Sequence, residues 1–262
     1  MPVRKDYAPG EFCWIDLSAH DLKSAVDWYG KVFGWTEMQA PPEGPPYTFF
    51  MQGEACIAGA GEMNDEMKGQ GIPPMWNSYV ATADCAATEK RAAELGATIT
   101  VPTMDVPGHG KLAYFLDPGG ASCALWQAAG DGQGVLVNEP VGLCWNELLC
   151  RDVAKARKFY GALFGWEFVE MPMGDATYTM IQNGGKDAGG MVAMEGEPFE
   201  GVPPHWMVYF AVEDCDGTAK KIAGGGGQVR VPPTDLPVGR FSMVADPQGA
   251  GFSIIKLSQQ PE

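Results

Sequence analysis

Histidine is scarce in this chain: His20, His109 and His205 are the only three in 262 residues. None stands near a cysteine pair, and the seven cysteines contain no C-x-x-C, so no zinc-type cluster can be assembled from spacing. The odd cysteine count (Cys13, Cys56, Cys85, Cys123, Cys144, Cys150, Cys215) argues against a disulfide framework, and reduced thiols acting as small apolar fillers are expected. No apolar run approaches the ~20 residues that span a bilayer. The start Met1-Pro2-Val3-Arg4-Lys5-Asp6 has no apolar stretch behind its basic residues, so no secretory leader is read and the cytoplasm is the default compartment. Basic residues are in deficit, 18 Lys and Arg against 33 Asp and Glu, for a net charge of −15. Such a surface repels phosphate backbones and anionic lipid, which excludes nucleic acid and membrane as expected partners. There is no strand-linked G-x-G-x-x-G and no Walker loop, so no cofactor is expected.

What is present is a core and a repeat. Hydrophobic residues make up 45% and charged residues 19%, enough apolar material to bury a proper interior. At roughly 150 residues per domain the length favours two domains. Phe12-Cys13-Trp14-Ile15-Asp16-Leu17 aligns with Leu143-Cys144-Trp145-Asn146-Glu147-Leu148 at an offset of 131 (143 − 12). Tyr29-Gly30-Lys31-Val32-Phe33-Gly34-Trp35 falls on Tyr160-Gly161-Ala162-Leu163-Phe164-Gly165-Trp166 at the same offset. Pro73-Pro74-Met75-Trp76 matches Pro203-Pro204-His205-Trp206 at 130 (203 − 73), and Asp117-Pro118 matches Asp246-Pro247 at 129 (246 − 117). Solenoid repeats run about 20–50 residues, so a period this long means duplicated domains. The expected division is 1–128, a Gly-rich linker at 129–138, and 139–262.

Within each unit an alternating strand (12–17; 143–149) leads into a helix capped by Asp21 or Asp152 and closed by Gly34 or Gly165. Strands are expected near 46–52 and 55–60, and near 177–182 and 187–194. After a Pro-rich break the pattern restarts, with strand 76–81 and helix 84–95, or strand 206–212 and a helix near 215–223. The last strands hinge on the Asp-Pro-x-Gly turns at 117–120 and 246–249. Each unit therefore reads β-α-β-β-β twice, an α+β class in which curved sheets enclose a cup.

The Asp-capped helix, the Phe-Gly-Trp that follows it and the closing Asp-Pro-x-Gly strand, in tandem, resemble the vicinal oxygen chelate superfamily of glyoxalases, extradiol dioxygenases and antibiotic-binding proteins. The motifs Trp-x-Glu, Tyr-Gly-x-x-Phe-Gly-Trp and Pro-Pro-x-Trp are similar more narrowly to two-domain actinobacterial proteins labelled glyoxalase-like or hydroxylase. The resemblance implies tandem glyoxalase/bleomycin-resistance-type domains, each of two βαβββ modules. It also implies metal-ligand positions, which by counting from its landmarks fall on Trp14, Asn77 and Ala124 in the first cup and on Trp145, Met207 and Ser253 in the second. Indole, thioether and methyl groups cannot replace imidazole and carboxylate donors, and neutral Asn and Ser are weak ligands, so no metal is expected.

If those positions point into the cups, strand parity brings Asp16 beside Trp14, Tyr79 beside Asn77, Glu147 beside Trp145, and His205 and Tyr209 beside Met207. Aromatic walls with a few polar groups suit a small hydrophobic or aromatic molecule, and the drug-resistance members of the family extend that to an antibiotic- or polyketide-like one. Two classes stay open: a binding protein, or a metal-independent enzyme (hydroxylase, hydrolase, lyase or isomerase-like) in which Glu147 and His205 face each other as acid and base. The second cup is the expected working one, because the first has Met75 where the second has His205. His20 is expected in solvent ahead of its helix, and the assembly is expected to be a monomer or a homodimer.

Overall fold

The computed structural model describes residues 3–40, 46–130, 134–174, 176–196 and 199–259. The first half runs β1 (Val3–Arg4), β2 (Phe12–Ala19), α1 (Leu22–Phe33), β3 (Thr36–Gln39), β4 (Tyr47–Gln52), β5 (Ala55–Glu62) and a short α2 (Asp65–Gly69). It continues with β6 (Met75–Ala81), α3 (Cys85–Glu94), β7 (Thr98–Val106), β8 (Gly110–Leu116) and β9 (Ser122–Ala128). After β10 (Val135–Leu136) the second half repeats the order: β11 (Leu143–Cys150), α4 (Val153–Phe164), β12 (Glu167–Met173), β13 (Ala176–Asn183) and β14 (Lys186–Ala193). Its second module is β15 (His205–Ala211), α5 (Cys215–Gly224), β16 (Gln228–Leu236), β17 (Gly239–Ala245) and β18 (Gly251–Leu257). The α+β class and the tandem βαβββ modules are those read from the sequence. The strands directly after Gly34-Trp35 and Gly165-Trp166 had no residue range there, because β3 is exposed along its length and β12 mostly so.

Local chemistry starts and stops the helices. Asp21, Asp84, Asp152 and Asp214 each accept the backbone N–H three residues on, satisfying one orphan donor of the first turn. Gly34 and Gly165 close α1 and α4 at φ 78° and 74°, a left-handed conformation that a side chain would oppose.

Each half contributes one mixed, curled sheet. In the first the order is β1-β10-β5-β2-β6-β9-β8-β7, with β3 and β4 extending from β5; in the second it is β12-β13-β14-β11-β15-β18-β17-β16. The stretch 129–138, expected as a linker, supplies β10, which pairs with both β1 and β5 and whose Val135 and Leu136 are buried. Residues 131–133 of that stretch lie outside the described residues. Among the described residues no helix is long and apolar enough to cross a membrane.

The convex faces of the two sheets meet, and the modules pack crosswise. One core cluster joins Ile15, Leu17, Tyr29 and Ile57 of the first half to Val208, Phe210, Ile222 and Phe252 of the second. The other joins Val80, Phe115 and Leu125 to Leu148, Phe159, Tyr160 and Trp206. A phenol spans each crossing. Tyr29 Oη accepts from Trp76 Nε1 (3.0 Å) and donates to Asp246 Oδ2 (3.3 Å), while Tyr160 Oη accepts from Trp206 Nε1 (3.0 Å) and donates to Asp117 Oδ2 (2.9 Å). Both aspartates come from Asp-Pro-x-Gly turns, whose own amides occupy the other carboxylate oxygen.

Replacing Tyr160 with Phe leaves the Trp206 N–H and an Asp117 oxygen short of a partner inside the core. At about 1–3 kcal/mol for each unsatisfied buried group, the expected loss is about 2–6 kcal/mol in urea denaturation. The wild type should unfold in one transition, since both clusters draw on both halves; separate transitions for the halves would contradict the crossed packing.

Candidate functional site

The concave faces carry the same constellation twice. A register shift at Cys13, and again at Cys144, places two residues of β2 or β11 against one of its neighbour. Beyond the shift alternation is regular, so Trp14 and Asp16 lie on the concave face opposite Tyr79 and Asn77, and Trp145 and Glu147 opposite Tyr209 and Met207. The parity argument therefore places Trp14, Asp16, Asn77 and Tyr79 together in the first cup. It does the same for Trp145, Glu147, Met207 and Tyr209 in the second, with Ser253 beside Tyr209.

At the centre of each cup is a buried carboxyl held by phenols. In the first, Asp16 (7% exposed) accepts from Tyr79 Oη (2.7 Å) and Tyr47 Oη (3.3 Å) on Oδ2 and from Asn77 Nδ2 (2.8 Å) on Oδ1. Trp14 Nε1 donates to Tyr47 Oη at 3.2 Å. In the second, Glu147 (6% exposed) accepts from Tyr209 Oη (2.7 Å) and is hydrogen-bonded by Tyr178, whose oxygen accepts from Trp145 Nε1 at 2.9 Å. Burial pushes both carboxyls above their ordinary pKa, with the hydrogen bonds pulling back: Tyr79, Asn77 and Tyr47 on Asp16, Tyr209 and Tyr178 on Glu147.

Tyr47 and Tyr178 were not among the residues singled out from the sequence. A signal for them exists. Asp16 stands in register with Gly59 and Glu147 with Gly190, and a Cβ at either glycine would overlap the incoming phenol. Glycine inside a strand marks such a close approach.

The expected pairing of Glu147 with His205 is not formed. His205 begins β15, and its Nδ1 lies 2.9 Å from the Pro203 carbonyl oxygen. Among the described residues neither a hydrogen bond nor an ion pair joins it to Glu147, whose bonding is taken up by tyrosines. Burial lowers the His205 pKa; the Pro203 carbonyl opposes this and the nearby Arg230 charge adds to it. Parity chose the correct face of the strand but not the position along it, because Met207 stands across from Glu147 and His205 across from Leu149.

His20 is also not simply in solvent: its Nε2 lies 2.9 Å from Ile72 O, on the segment between α2 and β6. Its counterpart Arg151 donates to the carbonyls of Met194, Phe199 and Val202 and so holds the segment after β14 against the second cup. Phe199 and Val202 pack there with Met207, Tyr209, Phe241 and Met243.

The family's metal positions do not fit a metal in either cup. Trp14, Asn77 and Ala124, and Trp145, Met207 and Ser253, offer no imidazole or carboxylate, and the adjacent carboxyls are already bonded by neutral phenols. Among the described residues no group of three or more His, Cys, Asp or Glu is placed to hold an ion.

Comparison with known proteins agrees with the architecture. The family described as the Glyoxalase/Bleomycin resistance protein/Dioxygenase superfamily matches residues 12–125 and again 142–254. CFP32 of Mycobacterium tuberculosis (strain CDC 1551 / Oshkosh), which carries a provisional glyoxylase designation, is 38% identical over 99% of this chain and 100% of its own length. The anthracycline biosynthesis protein DnrV of Streptomyces peucetius is 33% identical over 97% of this chain and 95% of its own. Among solved structures, the Mn(II)-bound glyoxalase of Novosphingobium aromaticivorans superposes with a TM-score of 0.66 at 14% identity, covering 97% of this chain and 84% of that one. The 2,3-dioxygenase LapB of Pseudomonas sp. KL28 gives 0.63 at 17%, covering 97% and 95%. At these identities the structural likeness speaks for the fold alone.

A carboxyl whose pKa is raised by folding contributes its full stability below its unfolded pKa and loses it as pH rises through the folded value. For Glu147 the decline begins near the ordinary value of 4.5. Urea midpoints of the wild type should therefore fall relative to those of Glu147→Gln as pH is raised from about 4 to 8. Parallel curves for the two proteins would show that Glu147 is not shifted.

Proposed function

The chain belongs to the glyoxalase/bleomycin resistance protein/dioxygenase superfamily, and from that premise we propose that its second cup binds a small, neutral, planar aromatic molecule of polyketide or antibiotic type without a transition metal. The observation that carries this reading is the difference between the two carboxyls. Asp16 has an amide donor, Asn77, in addition to its phenols, whereas Glu147 faces Met207 at that position. Glu147 is thus the carboxyl with bonding capacity left over, in a wall of Trp145, Met207, Phe241, Met243 and Leu257. Ser253 Oγ, buried next to the Tyr209 phenol, makes no hydrogen bond of regular geometry and is a second polar atom available to a ligand. A buried carboxyl inclined to stay protonated donates to a carbonyl or quinone oxygen, and the apolar wall covers the ring faces. A relative named for anthracycline biosynthesis supports the same ligand class, since anthracyclines are flat aromatic ketones.

The same carboxyl supports a second reading, a metal-independent enzyme in which Glu147 moves the proton. Any such acid–base chemistry now rests on Glu147 with Tyr209 and Tyr178, since His205 is bonded elsewhere.

The test is a titration with an anthraquinone and a naphthoquinone, followed by tryptophan fluorescence and thermal shift, in the presence and absence of a chelator. Affinity should be the same with the chelator, and Glu147→Gln should weaken it tenfold or more, about 1.4 kcal/mol. Loss of binding on chelation, or a folded Glu147→Gln protein of unchanged affinity, would overturn the assignment. Conversion of the ligand in the same mixture would favour the enzyme.

A further inference from the structure

The first cup has a different chemistry from the second, and we infer that it is a separate binding site for an alkylated ammonium group. Its donors all run towards one carboxylate. An indole N–H can only donate, so the bond from Trp14 Nε1 to Tyr47 Oη (3.2 Å) leaves the Tyr47 proton to point at Asp16 Oδ2. The Asn77 amide donates to Asp16 Oδ1 (2.8 Å) and to Ser18 Oγ (2.9 Å), and Tyr79 donates to Oδ2 while also touching the Tyr114 hydroxyl. Burial raises the Asp16 pKa and the donors on both oxygens pull it back, so a cation entering the cup is what tips the carboxyl to its ionised form. Yet among the described residues no Lys, Arg or His is bonded to Asp16. Arg4 is paired with Glu11 and lies over the Tyr7 ring, 4.5 Å from its centroid, Lys23 is paired with Asp27, and His20 lies against the Ile72 carbonyl. A buried carboxylate with no countercharge is costly, and a cation brought by a ligand removes that cost.

The walls fit such a cation. Half-buried Trp14, Tyr47, Tyr114 and Trp126 surround the buried Tyr79, with the Tyr79 and Tyr114 rings 5.5 Å apart at 70°. Electron-rich rings around a carboxylate recognise ammonium groups through their faces. Because Asp16 already accepts three hydrogen bonds, the best-matched cation needs no N–H donor, which points to a fully alkylated nitrogen. In the second cup the corresponding positions are Met207, Met243 and Ile255 in place of Asn77, Tyr114 and Trp126, so the second cup does not repeat this arrangement. The net charge of −15 draws small cations to the protein. The inference does not rest on the reading of the second cup, which concerns a different ligand and different residues.

The experiment is a calorimetric titration of the whole chain with choline and with 3,3-dimethylbutan-1-ol, its neutral isostere, in which carbon replaces the charged nitrogen. Choline should bind saturably, and the isostere should bind at least about tenfold more weakly. Asp16→Asn, checked for folding by circular dichroism, and Trp126→Leu, at a half-buried wall position, should each weaken choline binding about tenfold or more. If Asp16→Asn does not fold, Trp126→Leu and the comparison of the two ligands decide. Equal affinity for choline and the isostere, the absence of saturable choline binding, or full affinity in a folded variant would each overturn the assignment.

Discussion

Two buried phenols, Tyr29 and Tyr160, stand where each half of the chain can be completed only by the other. Each accepts a hydrogen bond from a tryptophan of its own half and donates one to the Asp-Pro-x-Gly turn of the opposite half. Around them the convex faces of the sheets are desolvated against each other, one module of the first half on one module of the second. A sheet with one face buried must leave the other for something else, and here the concave faces remain as two cups. Ser78 and Asn146, hydrogen-bonded across the joint at 2.7 Å, occupy positions whose repeats are the apolar Val208 and Ile15, so even the interface has diverged where partners could change together.

The cups show which part of a duplicated site is constrained by packing and which part is free. Carboxyl, two phenols and an indole recur in both, and one phenol of each cup, Tyr47 or Tyr178, enters through a gap that a strand glycine leaves open. The residues that differ lie around this centre: Asn77 against Met207, Tyr114 against Met243, Trp126 against Ile255. None of these carries the crossed core, so they can change the chemistry of a cup without loosening the fold. The first cup is accordingly rich in donors, and the second sets thioethers and aliphatic groups among its aromatic rings, around a carboxyl with fewer bonds.

Local signals made much of this legible in the amino-acid sequence. The offset of 131 between Trp14 and Trp145, the capping aspartates, the closing glycines and the Asp-Pro-x-Gly turns are short-range features, and each acts through the few residues beside it. Strand parity likewise determined that Trp14, Asp16, Trp145 and Glu147 share the concave faces, because alternation is a property of the single strand. Tertiary packing decided what those residues meet. Tyr47 reaches Asp16 across β5 from 31 positions away in sequence, and Tyr178 reaches Glu147 by the same route. His205, on the correct face, sits one step too far along β15 and bonds to Pro203. Which half supplies the partner of Tyr29 was equally beyond periodicity, since a hydrogen bond between residues 217 apart depends on how two sheets dock and leaves no pattern in either segment alone.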